Sequence, residues 1–388
     1  MNIVKTGLEV IINKEREDLK NKNIALLCNP ASVTNSYEHG RIAIENKYPG
    51  VIKALFSPQH GFFAEKQDNM IESVNITDSV LNVPVYSLYG ETRKPFDEMF
   101  DGIDILLIDI QDVGTRVYTF IYTISYCMEV ARKLNKKVIV LDRPNPINGI
   151  DIEGNLIEPE YKSFVGRFPI PMRHGLTVGE LAVLFNEEFK IGCDLEIIRM
   201  ENWTREMYFK DTGINWVIPS PNMPTPDTAI VYPGQVIWEG TNISEGRGTT
   251  QPFEIVGAPF LDVDKILDQL NDTKGVIFRK IAFEPTSNKW ANERCHGFQL
   301  HITDLKSYNS FQTSIKILRA IINNHRDEFR WKEPPYEYEY KKKPIDLILG
   351  SRKIRIDIEG TRNLNDIFSE YTEYLNIFNE VKKKYHLY

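Results

Sequence analysis

The sequence predicts an α/β protein built on a doubly wound, mostly parallel sheet, followed by a smaller C-terminal α+β domain. Three observations lead there. Short runs apolar on both faces recur through the first 200 residues, helical patterns separate them, and after about residue 260 the order changes to paired strand-like runs between helices. A strand apolar on both faces needs cover above and below, which helices supply when they cross over between parallel strands. At 388 residues the chain exceeds the size at which single cores stop growing, so two domains are expected, over residues 1–260 and 261–388.

The strand-like runs are "NIALLCN" (23–29), "VIKALFS" (51–57), "VPVYSLY" (83–89), "DILLIDI" (104–110) and "KKVIVLD" (136–142), with "DLEIIRM" as a sixth. Between two of them lies "TFIYTISYCMEVARKLN", where Phe120, Ile121, Ile124, Cys127, Met128, Ala131 and Leu134 recur at spacings of three and four and give a helix with one apolar stripe. Thr177 and Glu180 open the next helix in the arrangement of a capping box. Residues 201–260 are dense in Pro, Gly and Asn but carry Trp, Tyr and Phe, so they read as ordered loop wrapped over the sheet. The C-terminal part reads as the helical "LDVDKILDQLN", the strands "GVIFRKIAF" and "HGFQLHITD", the helix "FQTSIKILRAIINNH" and a final helix near "LNDIFSEYTEYLNIFNEVKKKY". The biased stretch "YEYEYKKKP" reads as an exposed connection.

Composition excludes several functions. A formal charge of -7 argues against a nucleic-acid surface, which needs a basic face. Cys28, Cys127, Cys193 and Cys295 make no CxxC pair, so neither zinc nor a disulfide framework is favoured. No run is long and apolar enough for a membrane span, and the amino terminus lacks the pattern of a secretory signal. As written the chain is expected in the cytoplasm, or outside it if the sequence is a trimmed mature form.

Ligands of open parallel sheets gather at the carboxyl ends of the strands, where strand order reverses. Here those tips are polar: Asn29 to Ser32, Ser57 to Gly61, Tyr89 to Glu91, Asp109 to Arg116 and Asp142 to Asn145. Turn chemistry explains Asn, Asp and Gly at such places, but not His60, Glu91, Arg116 and Arg143. No GxGxxG or GxxxxGK[ST] phosphate loop is present, and "EGRGTT" (245–250) lacks a strand-loop-helix context. His60, His174, His296 and His301 are too scattered for a metal site, and no GxSxG elbow occurs. No cofactor and no metal are expected.

Acid and base chemistry by carboxyl groups remains. Glu91, Asp109, Asp112 and Asp142 stand on neighbouring tips, and Glu239, Glu245 and Glu254 can arrive from the Pro-rich segment. Glycosidic cleavage uses such a set, with a protonated acid for the leaving oxygen and negative charge for an oxocarbenium-like transition state. Tyr86, Tyr89 and the apolar strand before Glu91 are expected to desolvate it and raise its pKa; the alternative is a salt bridge to Arg93 or Lys94.

The strings "NPASVT", "LFSPQHGFF", "VYSLYGETRKP", "DIQDVGTRVYTFIYT", "VLDRPNPING", "PMRHGLTVGELA", "PSPNMPT", "YPGQVIWEGTNISEGRGTTQPFE" and "GAPF" together resemble the exo-β-N-acetylmuramidases of the NamZ type. The likeness runs from near the amino terminus through residue 260 and continues more diffusely to the end. It implies a Rossmann-like α/β domain without dinucleotide, a smaller auxiliary domain that completes the cleft, and removal of terminal N-acetylmuramic acid from the non-reducing end of peptidoglycan-derived disaccharides or muropeptides. The glutamate of its Tyr-Gly-Glu segment, here Glu91, is the implied acid.

Muramic acid carries a lactyl carboxylate, for which a bidentate guanidinium is the expected partner, and Arg116, Arg143, Arg173 and Arg247 compete for it. His60 is a candidate to bond a sugar hydroxyl or orient Glu91, and His174 and Tyr89 are further candidate contacts. Asn29, Asn145, Asn222 and Asn242 suit hydroxyl and acetamide recognition, and equally suit turns. Trp238 suits stacking on a sugar face or core packing. The second catalytic group stays open among Asp112, Asp109, Glu239 and Glu245. A non-catalytic muropeptide or glycan receptor of the same fold and, further off, a phosphate or nucleotide enzyme are the alternatives; homo-oligomerisation is left open.

Overall fold

The computed structural model describes residues 3–68 and 70–388. Its larger sheet has seven strands: β1 (Ile24–Cys28), β2 (Ile52–Ser57), β3 (Ile76–Thr77), β4 (Pro84–Ser87), β5 (Ile105–Asp109), β6 (Lys137–Leu141) and β7 (Leu195–Ile198), in the order β3-β4-β2-β1-β5-β6-β7. All neighbours run parallel except the β3–β4 edge pair. All six expected strands of this sheet form. β3 has two residues, both exposed, and so has no apolar pattern to read.

The two-sided burial of the strands follows from their alternation. Ala25 and Leu27 join a core with α3 (Phe120–Lys133) and α4 (Val178–Glu187), while Ile24, Leu26 and Cys28 join a second core with α1 (Gly7–Asn13) and α2 (Gly40–Lys47). α3 is buried nearly all round, Thr123 and Ser125 included, so its one-stripe pattern understates its burial. Residues expected to be loop contain the helix α5 (Pro226–Gln235), capped by Thr225 and begun by Pro226, and its Gly234 lies so close to α7 (Ser310–Asn324) that a Cβ there would stand 2.0 Å from the Ser310 carbonyl oxygen. Gly234, which together with Pro233 reads as a breaker, is the residue that allows this close packing.

The second sheet is antiparallel, with β8 (Ile255–Ala258), β9 (Val276–Phe283) and β10 (Cys295–Ile302) in the order β8-β10-β9. α6 (Val263–Leu267) packs on it, α7 packs on α5 and α6, and α8 (Pro344–Leu349), α9 (Arg352–Glu359) and α10 (Leu364–Lys383) complete the chain. One apolar cluster runs from Leu27 and Val140 of the parallel sheet to Phe298 and Ile315 of this half, so the two halves share a core.

The capping box forms as read: Thr177 Oγ1 accepts from the Glu180 N–H at 3.2 Å and Glu180 Oε2 accepts from the Thr177 N–H at 3.0 Å. Thr177 Oγ1 also donates to Asp142 at 2.7 Å. Thr177→Ala should therefore lower the unfolding free energy by about 1–2 kcal/mol, read as a shift in the urea midpoint at unchanged slope.

Candidate active site

The tips of β1, β5 and β6, where strand order reverses, are filled by their own side chains. Arg143 forks onto Asp109 at 2.5 and 2.9 Å, and Ser32, Asn29 and Gln111 close a hydrogen-bonded knot beside them. The cavity that draws chemistry together lies to one side, between the tip of β2 and the segments that follow α5 and α7. It is lined by Gln59 and His60 from β2, Tyr118 and Thr119 before α3, Asn222, and then Tyr232, Glu239, Arg247, Tyr336 and Glu337 from the second half of the chain. The space left among them is about 30 Å³, room for a water or two and not for a sugar ring.

Two carboxyl groups meet there in unlike settings. Glu239 is ion-paired to Arg247 (Oε1–Nη2, 2.6 Å), and the Tyr336 hydroxyl donates to its other oxygen at 2.6 Å. Arg247 also lies 3.5 Å from Glu245, which Lys289 holds at 2.7 Å. Burial alone would raise the Glu245 pKa, but the Lys289 and Arg247 charges bring it below the usual value. Glu337 is 4% exposed and accepts from two neutral donors, the Tyr89 hydroxyl at 2.6 Å and the Gln59 amide at 3.2 Å. Burial, assisted by the Glu239 charge, raises its pKa.

His60 adopts a left-handed backbone (φ +80°), uncommon for a residue with a Cβ. Its Nδ1 donates to the Lys66 carbonyl at 2.8 Å, which places the proton on that nitrogen and leaves Nε2 an acceptor. Burial pushes its pKa down to about 4, with the Arg247 charge acting in the same direction, so the imidazole is neutral at ordinary pH.

Comparison with known proteins gives this geometry a family. Residues 24–227 match the family described as exo-beta-N-acetylmuramidase NamZ, N-terminal, and residues 230–388 its C-terminal counterpart. The chain belongs to the NamZ family of exo-β-N-acetylmuramidases, which are glycoside hydrolases. It is 42% identical to the peptidoglycan beta-N-acetylmuramidase NamZ of Bacillus subtilis (strain 168), over 99% of this chain and 91% of that protein. Two solved structures of DUF1343 family proteins from Bacteroides fragilis NCTC 9343 share the fold: one at TM-score 0.90 and 35% identity, covering all of both chains, the other at 0.77 and 29%, covering 100% of this chain and 99% of that one.

Of the site residues expected from sequence, this NamZ-family chain brings His60, Asn222, Glu239 and Arg247 to the cavity wall, with Tyr89 and Glu245 directly behind it. Others lie away from the cavity and have partners elsewhere in the fold. Arg116, fully buried, donates to four backbone carbonyls, of Asn155, Ile170, Ile348 and Leu349. Arg143 is held by Asp109, and Arg173 by Glu153 at 2.6 Å and Asp151 at 3.1 Å. Asp112 accepts from the Gly114 N–H at 2.7 Å and faces His174 at 3.3 Å, a buried pair away from the cavity. Asn29, Asn145 and Asn242 hold loop backbone through Gln111, Leu176 and Glu328. Trp238 is fully buried and donates to Gln235 at 2.8 Å, so it packs in the core.

Glu91 differs from expectation in its surroundings. Its side chain is exposed, because the chain turns outward after Tyr89 and Gly90, so neither Tyr86 nor Tyr89 desolvates it. The alternative expectation fails too: Arg93 stacks on Tyr89 and Tyr338. Sequence reasoning missed Gln59, Tyr118, Tyr336, Glu337 and Lys289. Tyr336 and Glu337 sit in the stretch that read as an exposed connection, where two prolines and alternating Tyr and Glu give no element period; the concentration of tyrosine was the available signal. Among the described residues no group of His, Cys, Asp and Glu is arranged to hold a metal, all four cysteines are free and buried, and no helix is long and apolar enough to cross a membrane.

Proposed function

We propose that the chain is an exo-acting glycoside hydrolase that releases terminal N-acetylmuramic acid from the non-reducing end of peptidoglycan fragments, with Glu91 as proton donor to the leaving oxygen. The observation that carries the reading is the convergence of Glu239, Glu337 and Arg247 on one cavity built from both halves of a NamZ-family chain. Carboxyl groups in unlike environments are what glycoside cleavage requires.

Of the four candidate guanidiniums Arg247 is the one that lines the cavity, although it is itself ion-paired to Glu239, and this supports it, with Asn222 on the same wall, as the partner of the lactyl carboxylate. Glu91 stands two residues beyond Tyr89, whose hydroxyl meets Glu337. In this reading the bound sugar desolvates the exposed carboxyl, covering it only when the leaving oxygen is in place.

Chromogenic β-glycosides of N-acetylmuramic acid and N-acetylglucosamine, which differ by the lactyl group, test the reading. The first should be hydrolysed with at least about 100-fold higher kcat/KM. Equal rates would remove the lactyl contact, and Glu91→Gln with full turnover would remove Glu91 as donor.

A further inference from the structure

The cavity is too small for the sugar, and this points to what it does hold. About 30 Å³ suits a water molecule, and the groups around it suit a water that must lose a proton. Of the two carboxyls, Glu239 is neutralised by Arg247 at 2.6 Å, with the Tyr336 hydroxyl on its other oxygen. Among the described residues, no cation is in hydrogen-bond contact with Glu337. Both its partners are neutral, and each is held in turn: Tyr89 accepts from the Met70 N–H at 3.1 Å, and Thr119 donates to the Gln59 carbonyl oxygen at 2.8 Å, which fixes the amide with its NH₂ toward Glu337. The carboxyl is therefore rigid, buried and free of the ion pair that would oppose proton uptake.

We propose that Glu337 is the catalytic base of the hydrolytic site, supplied by the C-terminal half of the chain and activating a water in this cavity. The inference rests on the glycosidase reading above. The Glu337 carboxylate takes a proton from the water, whose oxygen forms the new bond to the anomeric carbon. The bond from that carbon to the leaving oxygen breaks with its electron pair, and that oxygen takes the proton of Glu91. Water is added across the bond, and the two carboxyl groups exchange protons with solvent to reset. Direct attack by water on the face opposite the leaving group inverts the anomeric centre, so a β-linked substrate gives the α product first.

The environment suits a base. The charged and titratable groups around Glu337 come from every wall: Tyr89 and Arg93 after β4, His60 after β2, Tyr118 before α3, and Tyr232, Glu239, Arg247 and Tyr336 from the second half. Burial and Glu239 raise its proton affinity against the hydrogen bonds of Tyr89 and Gln59 and the more distant charge of Arg93. A base acts best when its pKa approaches working pH.

The test uses the full chain with two β-N-acetylmuramic acid glycosides, one with an activated phenol as leaving group and one with a sugar. Glu337→Gln should lower kcat by about 10²–10³-fold on both, since a base is needed whatever departs. Glu91→Gln should recover on the activated phenol, which leaves without a proton. Azide or formate should restore turnover to Glu337→Ala, a rescue that a merely structural role would not give. Independently of any variant, proton NMR of the wild-type reaction should detect the α anomer first. The β anomer first, or Glu337→Gln within about threefold of wild type, would overturn the assignment. Wild-type protein that leaves both muramic glycosides intact would instead overturn the glycosidase reading beneath it.

Discussion

Arg247→Met should lower the unfolding free energy by about 3–5 kcal/mol, the cost of breaking a buried ion pair by removing one member. The guanidinium sits between Glu239 at 2.6 Å and Glu245 at 3.5 Å, all three side chains less than one-tenth exposed. Lys289 still holds Glu245 in the variant, at 2.7 Å. Glu239 loses its ion pair, while the Tyr336 hydroxyl stays on its other oxygen and Glu337 lines the same cavity. The loss should therefore trace to Glu239. Adding Glu239→Gln to Arg247→Met should return about 0.5–3 kcal/mol, the range measured for residues in one network. Urea unfolding of the wild type, both single variants and the double variant gives the coupling directly. A loss below about 1 kcal/mol in Arg247→Met, the size of an exposed pair, would mean that water reaches Glu239 freely and that the cavity is no desolvated site.

The parallel sheet was legible because its strands are buried on both faces, and a run such as "IALLC" has no other stable place. The capping box of α4 was legible because Thr177 and Glu180 form it within four residues. α5 was not, because its breakers serve contacts with α7, 76 residues further on, where Ser310 Oγ accepts from the Gly234 N–H at 2.9 Å. Long-range packing overrides local propensity there.

The site shows the same division. The polar tips of β1, β5 and β6 have the composition of a ligand crevice, yet their groups satisfy one another, as the Arg143–Asp109 fork does. Sequence identifies which groups are polar and near a strand end; it does not say which are already paired. Glu337 illustrates the converse. Its two partners, Gln59 and Tyr89, lie 278 and 248 residues away, and only the fold brings the three together. A buried carboxyl defined by such distant contacts leaves no local pattern in the chain.

Arg116→Lys should cost about 2–6 kcal/mol, from roughly two buried carbonyls left without donors at about 1–3 kcal/mol each. The guanidinium reaches in two directions: one nitrogen donates to Asn155 and Ile170 at 2.6 and 3.1 Å, the other to Ile348 and Leu349 at 2.9 and 3.0 Å. Burial pushes its pKa down to about 10, yet the charge is retained at neutral pH, stabilised by four carbonyl dipoles. An ammonium concentrates its donors at one point and cannot span both pairs, so the usual conservative exchange fails here. Ile348 and Leu349 end α8, which packs on the turn after α5, so this one side chain ties the loop before α3 to the C-terminal half that supplies Glu337. Urea unfolding should register the loss, and Arg116→Met, which abandons all four carbonyls, should exceed it. If lysine matched arginine within about 0.5 kcal/mol, as surface exchanges do, the four-carbonyl clamp would not be what joins the halves of the site.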